Sequence, residues 1–365
     1  MKTMELLSTM GHEQVLFCQD KASGLKAIIA IHDTTLGPAL GGCRFWNYQT
    51  EEEALFDVLR LSRGMTYKAA VAGLHLGGGK AIIMGDPATL KSEKLFSSFG
   101  RFVNSLGGRY ITAEDVNTRV EDVEQIAKET KYVTGLSKGS GDPSPITALG
   151  VFFGIKAAVS YKLKRHHLKG IRVAVQGCGA VGRSLCRLLH ADGAELFVSD
   201  INPLSTQQMA LELGAKEVAP EETHKLSVDV YSPCALGAAL NKKSIPEIKA
   251  AIVAGAANNQ LLDEEQDGRA LQNRGILYAP DYVINAGGLI NVAHELAGYN
   301  EKKARADAEK IFETMLKIFK IAEDKRILTH EASNELAQSR IAEVRKQREG
   351  KHLLHAYGNQ SWIHI

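Results

Sequence analysis

Two lysines twelve positions apart, Lys68 and Lys80, lie within MTYKAAVAGLHLGGGKAII, and the second follows directly on Gly77, Gly78 and Gly79. A lysine behind glycines suggests a phosphate cradle, but the spacing GxxxxGK[ST] is not met and residue 81 is alanine, which offers no hydroxyl to magnesium. The pair suits another chemistry. If both ammonium groups line one pocket, each disfavours the charged form of the other, and burial adds to this. Bringing a lysine from about 10.4 to about 7.5 takes roughly 4 kcal/mol, which two unit charges about 4 Å apart supply at an effective dielectric near 20. One member then serves as a general base at neutral pH, while the more solvated one stays cationic and can hold a carboxylate. Asp115, in ITAEDVNT at the end of a predicted strand, is the third candidate, able to offset part of the depression and relay protons. The glycines are expected to let backbone and substrate approach closely. A single surface lysine is ordinarily a solvated charge, but a glycine run and a strand end are poor places for two incidental ones.

A second chemistry lies about a hundred residues on. IRVAVQ is followed by Gly177, Cys178, Gly179, Ala180, Val181 and Gly182, the pattern GxGxxG, and then by the helix-periodic VGRSLCRLLHADG. Glycines there permit a tight turn and close approach of backbone to a pyrophosphate at a helix N-terminus. Asp200 closes the next strand, AELFVSD, 18 residues beyond Gly182, where a carboxylate accepts from ribose hydroxyls and repels a 2′-phosphate. The expected cofactor is NAD rather than NADP. The competing readings are a plain strand-to-helix turn for the glycines and, for Asp200, a cap on NPLSTQQMALEL.

The elements that must carry these residues follow two rhythms. EQVLFCQD and LKAIIAIHD read as strands, and TEEEALFDVLRL opens a helix with Thr50 and Glu53 in capping-box spacing. KAIIMGD is predicted as a strand, DPATLKSEKLFSSFGRFVNSLGG as one helix and GRYITAED as a strand. After the breaker cluster GLSKGSGDPSP and the apolar helix PITALGVFFGIKAAVSY, the runs IRVAVQ, AELFVSD, VDVYSP, AAIVAGA and GILYAP alternate with helical stretches, as in a parallel sheet covered on both faces. The expected fold is α/β in two domains: a catalytic domain over 1–140 and a Rossmann-like, doubly wound dinucleotide-binding domain over 141–325, separated by a cleft.

Composition narrows the partners. Lysine and arginine (44) nearly balance aspartate and glutamate (42), so neither nucleic acid nor a membrane surface is expected, and the ligand should be small. No membrane span and no apolar leader is apparent, which predicts a cytoplasmic location. The five cysteines are scattered with no CxxC pair, and the adjacent His166 and His167 point apart, so no metal site is predicted.

The succession LGPALGGCRFW, LRLSRGMTYKAAVAGLHLGGGKAII, TAEDVNT, TGLSKGSGDPSPITALGV, VAVQGCGAVG, AGAANNQL and INAGGLINVAHEL, spread over positions 36 to 296, resembles the Glu/Leu/Phe/Val amino-acid dehydrogenases, with the leucine-acting members the nearest pattern. The resemblance implies reversible NAD-dependent oxidative deamination of a branched-chain L-amino acid to the 2-oxo acid and ammonia. Leucine is the first expectation, and a preference for valine or phenylalanine is the alternative. It assigns the α-carboxylate to Lys68, the general base to Lys80, proton assistance to Asp115, and contacts to substrate and nicotinamide to Asn258, with Asn259 as the register alternative. Thr147 in SPITALGV joins the cofactor-binding residues. Leu40, Gly41, Ala113, Leu289 and Val292 are implied as the substrate pocket, with Leu40 and Val292 standing where glutamate-specific members carry a lysine and a hydroxyl residue. A distal carboxylate there would be buried without a partner, at a cost of several kcal/mol, which disfavours glutamate. The resemblance also implies that the C-terminal helices, 326–365, pack back on the first domain, and that the chain forms a homo-oligomer, a dimer or octamer. A catalytically silent NAD-binding relative would be free to lose the two lysines and the aspartate, and all three are present.

Overall fold

The two rhythms become two separate sheets. The computed structural model describes residues 3–137 and 139–358, so Lys138 of the breaker cluster and the C-terminal 359–365 lie outside the described residues. The chain divides into Met1–Thr134 with Glu335–Ile365, and Gly135–Asn334. These junctions compare with 140/141 expected from the sequence pattern and 325/326 implied by the resemblance.

In the first unit, helix α1 (Thr3–Met10) precedes β1 (Gln14–Asp20) and β2 (Leu25–Asp33), an antiparallel pair in register from Gln14↔Ile31 to Asp20↔Leu25. Then come β3 (Ala39–Leu40), β4 (Cys43–Trp46), α2 (Glu51–Val71), β5 (Gly77–Met84), α3 (Pro87–Leu90), α4 (Glu93–Ser105), β6 (Tyr110–Ile111) and α5 (Val120–Ala127). The sheet order is β1-β2-β5-β3-β6, with β4 also paired to β5. Helix α2 starts where its capping residues place it: Thr50 accepts from the Glu53 N–H at 3.1 Å, and Glu53 reaches back to the N–H of Gln49 at 3.0 Å. Its inner stripe, Ala54, Leu55, Val58 and Leu59, packs on Ile28, Ala30 and Ile82 of the sheet.

Three local expectations are corrected. Strand β5 begins at Gly77, so the glycine run is strand and not a loop leading into one. The helix expected over 86–108 is two: Lys91 turns extended at ψ 126°, and Ser92 caps a new helix by accepting from the Leu95 N–H. The strand predicted over 108–115 is regular only at Tyr110–Ile111, after which the chain turns.

The second unit runs α6 (Ser144–Leu163), β7 (Arg172–Gln176), α7 (Ala180–Ala191), β8 (Glu195–Ser199), α8 (Pro203–Leu213), β9 (Lys216–Glu217), β10 (Val230–Pro233), β11 (Ile252–Val253), α9 (Glu264–Asn273) and β12 (Leu277–Tyr278). Helices α10 (Asp281–Ile284), α11 (Gly287–Glu295), α12 (Glu301–Glu309) and α13 (Ile311–Lys325) follow, and α14 (Thr329–Gly358) continues into the first unit. Its six strands are parallel in the order β9-β8-β7-β10-β11-β12, the 3-2-1-4-5-6 arrangement of a doubly wound sheet. The point where the order reverses lies between β7 and β10, beside the GxGxxG turn. Helix α6 is long and apolar enough to cross a membrane by length and composition, against the expectation of no such stretch; 61 % of its apolar window is buried inside the protein. It packs on α7, α11, α12 and α13, so its apolarity belongs to the core.

Candidate active site

Glycines fix where the two lysines stand. A Cβ on Gly78 would lie 2.0 Å from the Thr66 nitrogen of α2, one on Gly77 2.2 Å from the Asp33 carbonyl oxygen, and one on Gly79 2.7 Å from the Tyr110 ring. The space beside each glycine is therefore filled by the protein itself, and the expectation that they clear room for substrate is corrected. Gly78 allows a backbone-on-backbone seat of α2 on β5, while Gly77 lies against the Asp33 backbone and Gly79 against the Tyr110 ring. Lys68 follows Thr66 by two residues and Lys80 follows Gly78 by two, so this seat sets the relation between the lysines. Lys80, on the Gly78 face of β5, is only 7 % exposed, whereas Lys68 in the last turn of α2 is half-buried. Arg340 of α14 donates to the carbonyls of Ala69, Ala70 and Leu74 at 3.3, 2.6 and 2.9 Å, closing the C-terminal end of α2 that carries Lys68.

The Lys80 ammonium makes an ion pair with Asp115, whose Oδ2 also lies 3.8 Å from Arg44 Nε. Burial pushes the Asp115 carboxyl up, but Lys80 and then Arg44 outweigh it and hold the group below the usual carboxylate range. The turn that presents Asp115 is tight: the Thr118 N–H returns to the Asp115 carbonyl at 2.9 Å, and Asn117 sits at φ +57° with its amide donating to the Phe45 carbonyl. Gly42 makes room for it, since a Cβ there would come within 2.9 Å of the Asp115 Cβ. Leu40 and Ala113 are buried on neighbouring segments, and Gly41 passes so close to β5 that a Cβ would strike the Gly79 carbonyl at 1.8 Å. Lys80, Asp115, Leu40, Gly41 and Ala113 thus come together on the β5, β3 and β6 side of one sheet. Arg44 joins them unforeseen. Its signal lies in LGGCRFW, from which the resemblance implies only Leu40 and Gly41 as site residues.

In the second unit, Gly177 turns at φ +104° and its N–H donates to the Ser199 carbonyl at 2.8 Å. A Cβ on Gly182 would meet the Gly177 carbonyl at 1.9 Å, so this glycine is required for the turn to close on α7. Gly179, the N-cap of α7, has open space beside it, and Ala180 is exposed. The first-turn N–H groups of α7 therefore face outward, which fits a pyrophosphate. Asp200 accepts from the Cys178 N–H at 2.7 Å and the Asn202 N–H at 2.8 Å. The cap of α8 is Asn202, not Asp200, so the capping alternative falls. Each Asp200 oxygen keeps a second acceptor position, which fits a ribose hydroxyl. The Cys178 thiol is buried and pushed up to about 12, chiefly by burial, while Val181 is half-buried in the first turn of α7.

The other sequence-predicted residues of this unit gather at α6, α10 and α11. Asn258 is exposed and its side-chain oxygen accepts from Asn285 at 2.7 Å, while Asn259 is spent on the backbone, at φ +51° with its carbonyl holding the Ala238 N–H. Thr147 bonds the Pro143 carbonyl in the first turn of α6, where a Cβ on Gly288 would lie 2.9 Å from its hydroxyl. Leu289 is buried and Val292 half-buried, one turn apart on α11.

Comparison with known proteins agrees with both units. A family model described as Glu/Leu/Phe/Val dehydrogenase, dimerisation domain, matches residues 12–132, and one described as Glutamate/Leucine/Phenylalanine/Valine dehydrogenase matches residues 201–349. The chain is 52% identical to leucine dehydrogenase of Bacillus cereus over 351 residues, covering 95% of this chain and 96% of that one. It is 53% identical to L-tryptophan dehydrogenase of Nostoc punctiforme over 341 residues, covering 93% and 96%. The crystal structure of L-tryptophan dehydrogenase from Nostoc punctiforme superimposes with a TM-score of 0.87 at 51% identity, covering 94% of this chain and all of that one. Identity does not separate the leucine pattern from the tryptophan one.

Proposed function

The chain belongs to the Glu/Leu/Phe/Val dehydrogenase family, an NAD-dependent amino-acid dehydrogenase, and from that premise we propose that its substrate is a branched-chain L-amino acid, leucine first. The ion pair between the buried Lys80 and the half-buried Asp115 carries the reading. Lys68 holds the substrate α-carboxylate. Lys80 takes a proton from the substrate amine and later from the water that attacks the imino acid, and Asp115 passes protons to and from Lys80. NAD supplies the hydride acceptor for the substrate Cα. The turn of Gly177, Cys178, Gly179, Ala180, Val181 and Gly182 holds its pyrophosphate on α7, Asp200 its ribose, and Asn258 and Thr147 its nicotinamide end. The oxidation releases 2-oxo acid, ammonium, NADH and a proton, and consumes one water.

Side-chain choice follows from apolar groups in each unit. Leu40 and Ala113 in the first, and Leu289 and Val292 in the second, offer no partner to a distal carboxylate. Among apolar substrates a methylene is worth only about 1 to 3 kcal/mol, so valine and isoleucine should also turn over. The near-equal identity to tryptophan dehydrogenases makes the indole side chain the second reading. An NADH-absorbance panel of leucine, isoleucine, valine, phenylalanine, tryptophan and glutamate decides: highest kcat/KM on tryptophan moves the assignment to the indole, and highest on glutamate overturns the assignment to an apolar substrate. Lys80→Ala should lose nearly all turnover while NADH binding is retained; activity surviving with its pH profile intact would transfer the base to another group. A homo-oligomer, dimer or octamer, is supported by the match to a dimerisation-domain model and is counted by light scattering.

A further inference from the structure

Arg44 stands between two carboxylates and is anchored on only one. Its NH1 donates to Asp57 at 2.9 Å, and Asp57 is itself fixed by the Tyr48 hydroxyl at 2.7 Å and by Arg60 at 3.0 Å. The Arg44 Nε–H is buried and has no hydrogen-bond acceptor among the described residues, and it lies 3.8 Å from Asp115 Oδ2, the oxygen that Lys80 holds. We propose that Arg44 is a positioning residue for Asp115: its guanidinium, fixed from behind by Asp57, is the partner the carboxylate turns to whenever Lys80 is uncharged. The inference rests on the reading of Lys80 as the base.

The need for a second cation follows from that chemistry. A base must be neutral before it accepts a proton, and at that moment the enclosed Asp115 has lost its ammonium partner. A carboxylate so placed, with 17 % of its side chain exposed, would take up a proton itself unless another positive charge faced it. A guanidinium stays charged throughout the working pH range, so it is constant where the Lys80 charge comes and goes. The other titratable groups around Asp115 do not replace it. Cys43 and Tyr110 are both pushed well up, first by burial, and remain neutral, while Asp57 lies behind Arg44 with the opposite sign. The gap between Nε and Oδ2 is about one rotamer adjustment from a hydrogen bond.

The test is kcat/KM for the amino acid against pH in the full-length enzyme, for Arg44→Met, Arg44→Lys and Lys80→Ala, with melting temperature and NADH binding as controls. Removing the charge should raise the pH of the acidic limb by about one unit and lower kcat, while Arg44→Lys keeps the limb in place at reduced kcat. A uniform loss across pH in Arg44→Met with the limb unmoved overturns the inference, as does a limb displaced equally in Arg44→Lys. Arg44→Gln gives the same comparison where the methionine variant does not fold. Full activity in Lys80→Ala would remove the base reading itself; loss there with an unmoved Arg44→Met limb would remove only the role of Arg44.

Discussion

Alanine at position 78 would carry its Cβ to 2.0 Å from the Thr66 nitrogen, 2.1 Å from its hydroxyl and 2.5 Å from its Cα. Two of these atoms are backbone in the middle of α2, so no side-chain rotation relieves the clash. Ordinary contact begins near 3.4 Å, and α2 must withdraw from β5 by about 1.4 Å or distort. Overpacking of this kind costs about 1–3 kcal/mol. A chemical effect of similar size should accompany the loss of stability, because Lys68 rides on the displaced helix while Lys80 stays on the strand. A misplacement of about 1 Å can cost about 100-fold in rate, which is about 2.7 kcal/mol in the barrier. Gly64→Ala on the same helix is the control: a Cβ there meets nothing within 4 Å, and the lost backbone freedom of the unfolded chain should stabilise by about 0.5–1 kcal/mol. Melting temperature and kcat/KM for the amino acid, with NADH affinity measured in parallel, separate the two. A Gly78→Ala enzyme with unchanged melting temperature and kcat/KM would refute the idea that this contact sets the lysines.

Two further outcomes follow from the same geometry. Asp200→Ala removes the acceptor shared by the Cys178 and Asn202 N–H groups; KM for NAD should rise at least about tenfold, as for a lost charge-assisted hydrogen bond, with the amino-acid KM unchanged, and an unaltered cofactor KM would count against Asp200 as the ribose acceptor. His12 packs edge-on against His32 at 4.8 Å and bonds Ser62 at 2.8 Å, and its pKa is lowered to about 4, by burial first and then by His32. The folded state therefore binds this proton less readily than the unfolded chain, so the contribution is intact above about 6.5 and is lost as pH falls toward 4; after allowance for partial exposure it amounts to about 2 kcal/mol. Urea midpoints from pH 7 to 4.5 should fall more steeply in the natural protein than in His12→Gln, and equal slopes would contradict the assignment.

The legible parts of the fold are those whose cause is local. The Thr50 cap, the 3.6-residue stripe of α2 and the near-continuous apolar runs at β7, β8 and β10 each announce themselves within a dozen residues. The break between α3 and α4 was open to the same logic, since Ser92 followed by Glu93 is a start signal inside what looked like one helix. Strand β6 was overextended because Tyr110 and Ile111 are apolar and Thr112 and Ala113 do not contradict them. Regular pairing stops at Ile111, and the segment beyond leads into a turn at Asn117, a left-handed residue that periodicity does not reveal.

The two sites differ in the same way. A pyrophosphate is bound by backbone N–H groups, so its requirement is written as glycines in one unbroken turn, and Gly177, Gly179 and Gly182 were readable together. A proton-transfer site needs side chains that oppose one another in charge, and these come from β4, β5 and the turn after β6, with Arg44 and Lys80 36 positions apart and Lys80 and Asp115 35 apart. Glycine there has another meaning. At Gly41, Gly42 and Gly78 it marks where one backbone passes over another, with Gly79, Glu114 and Thr66 as the segments crossed. Read as contact markers, these three point to the strands and the helix that meet at the base, and Arg44, two residues past Gly42, stands on one of them.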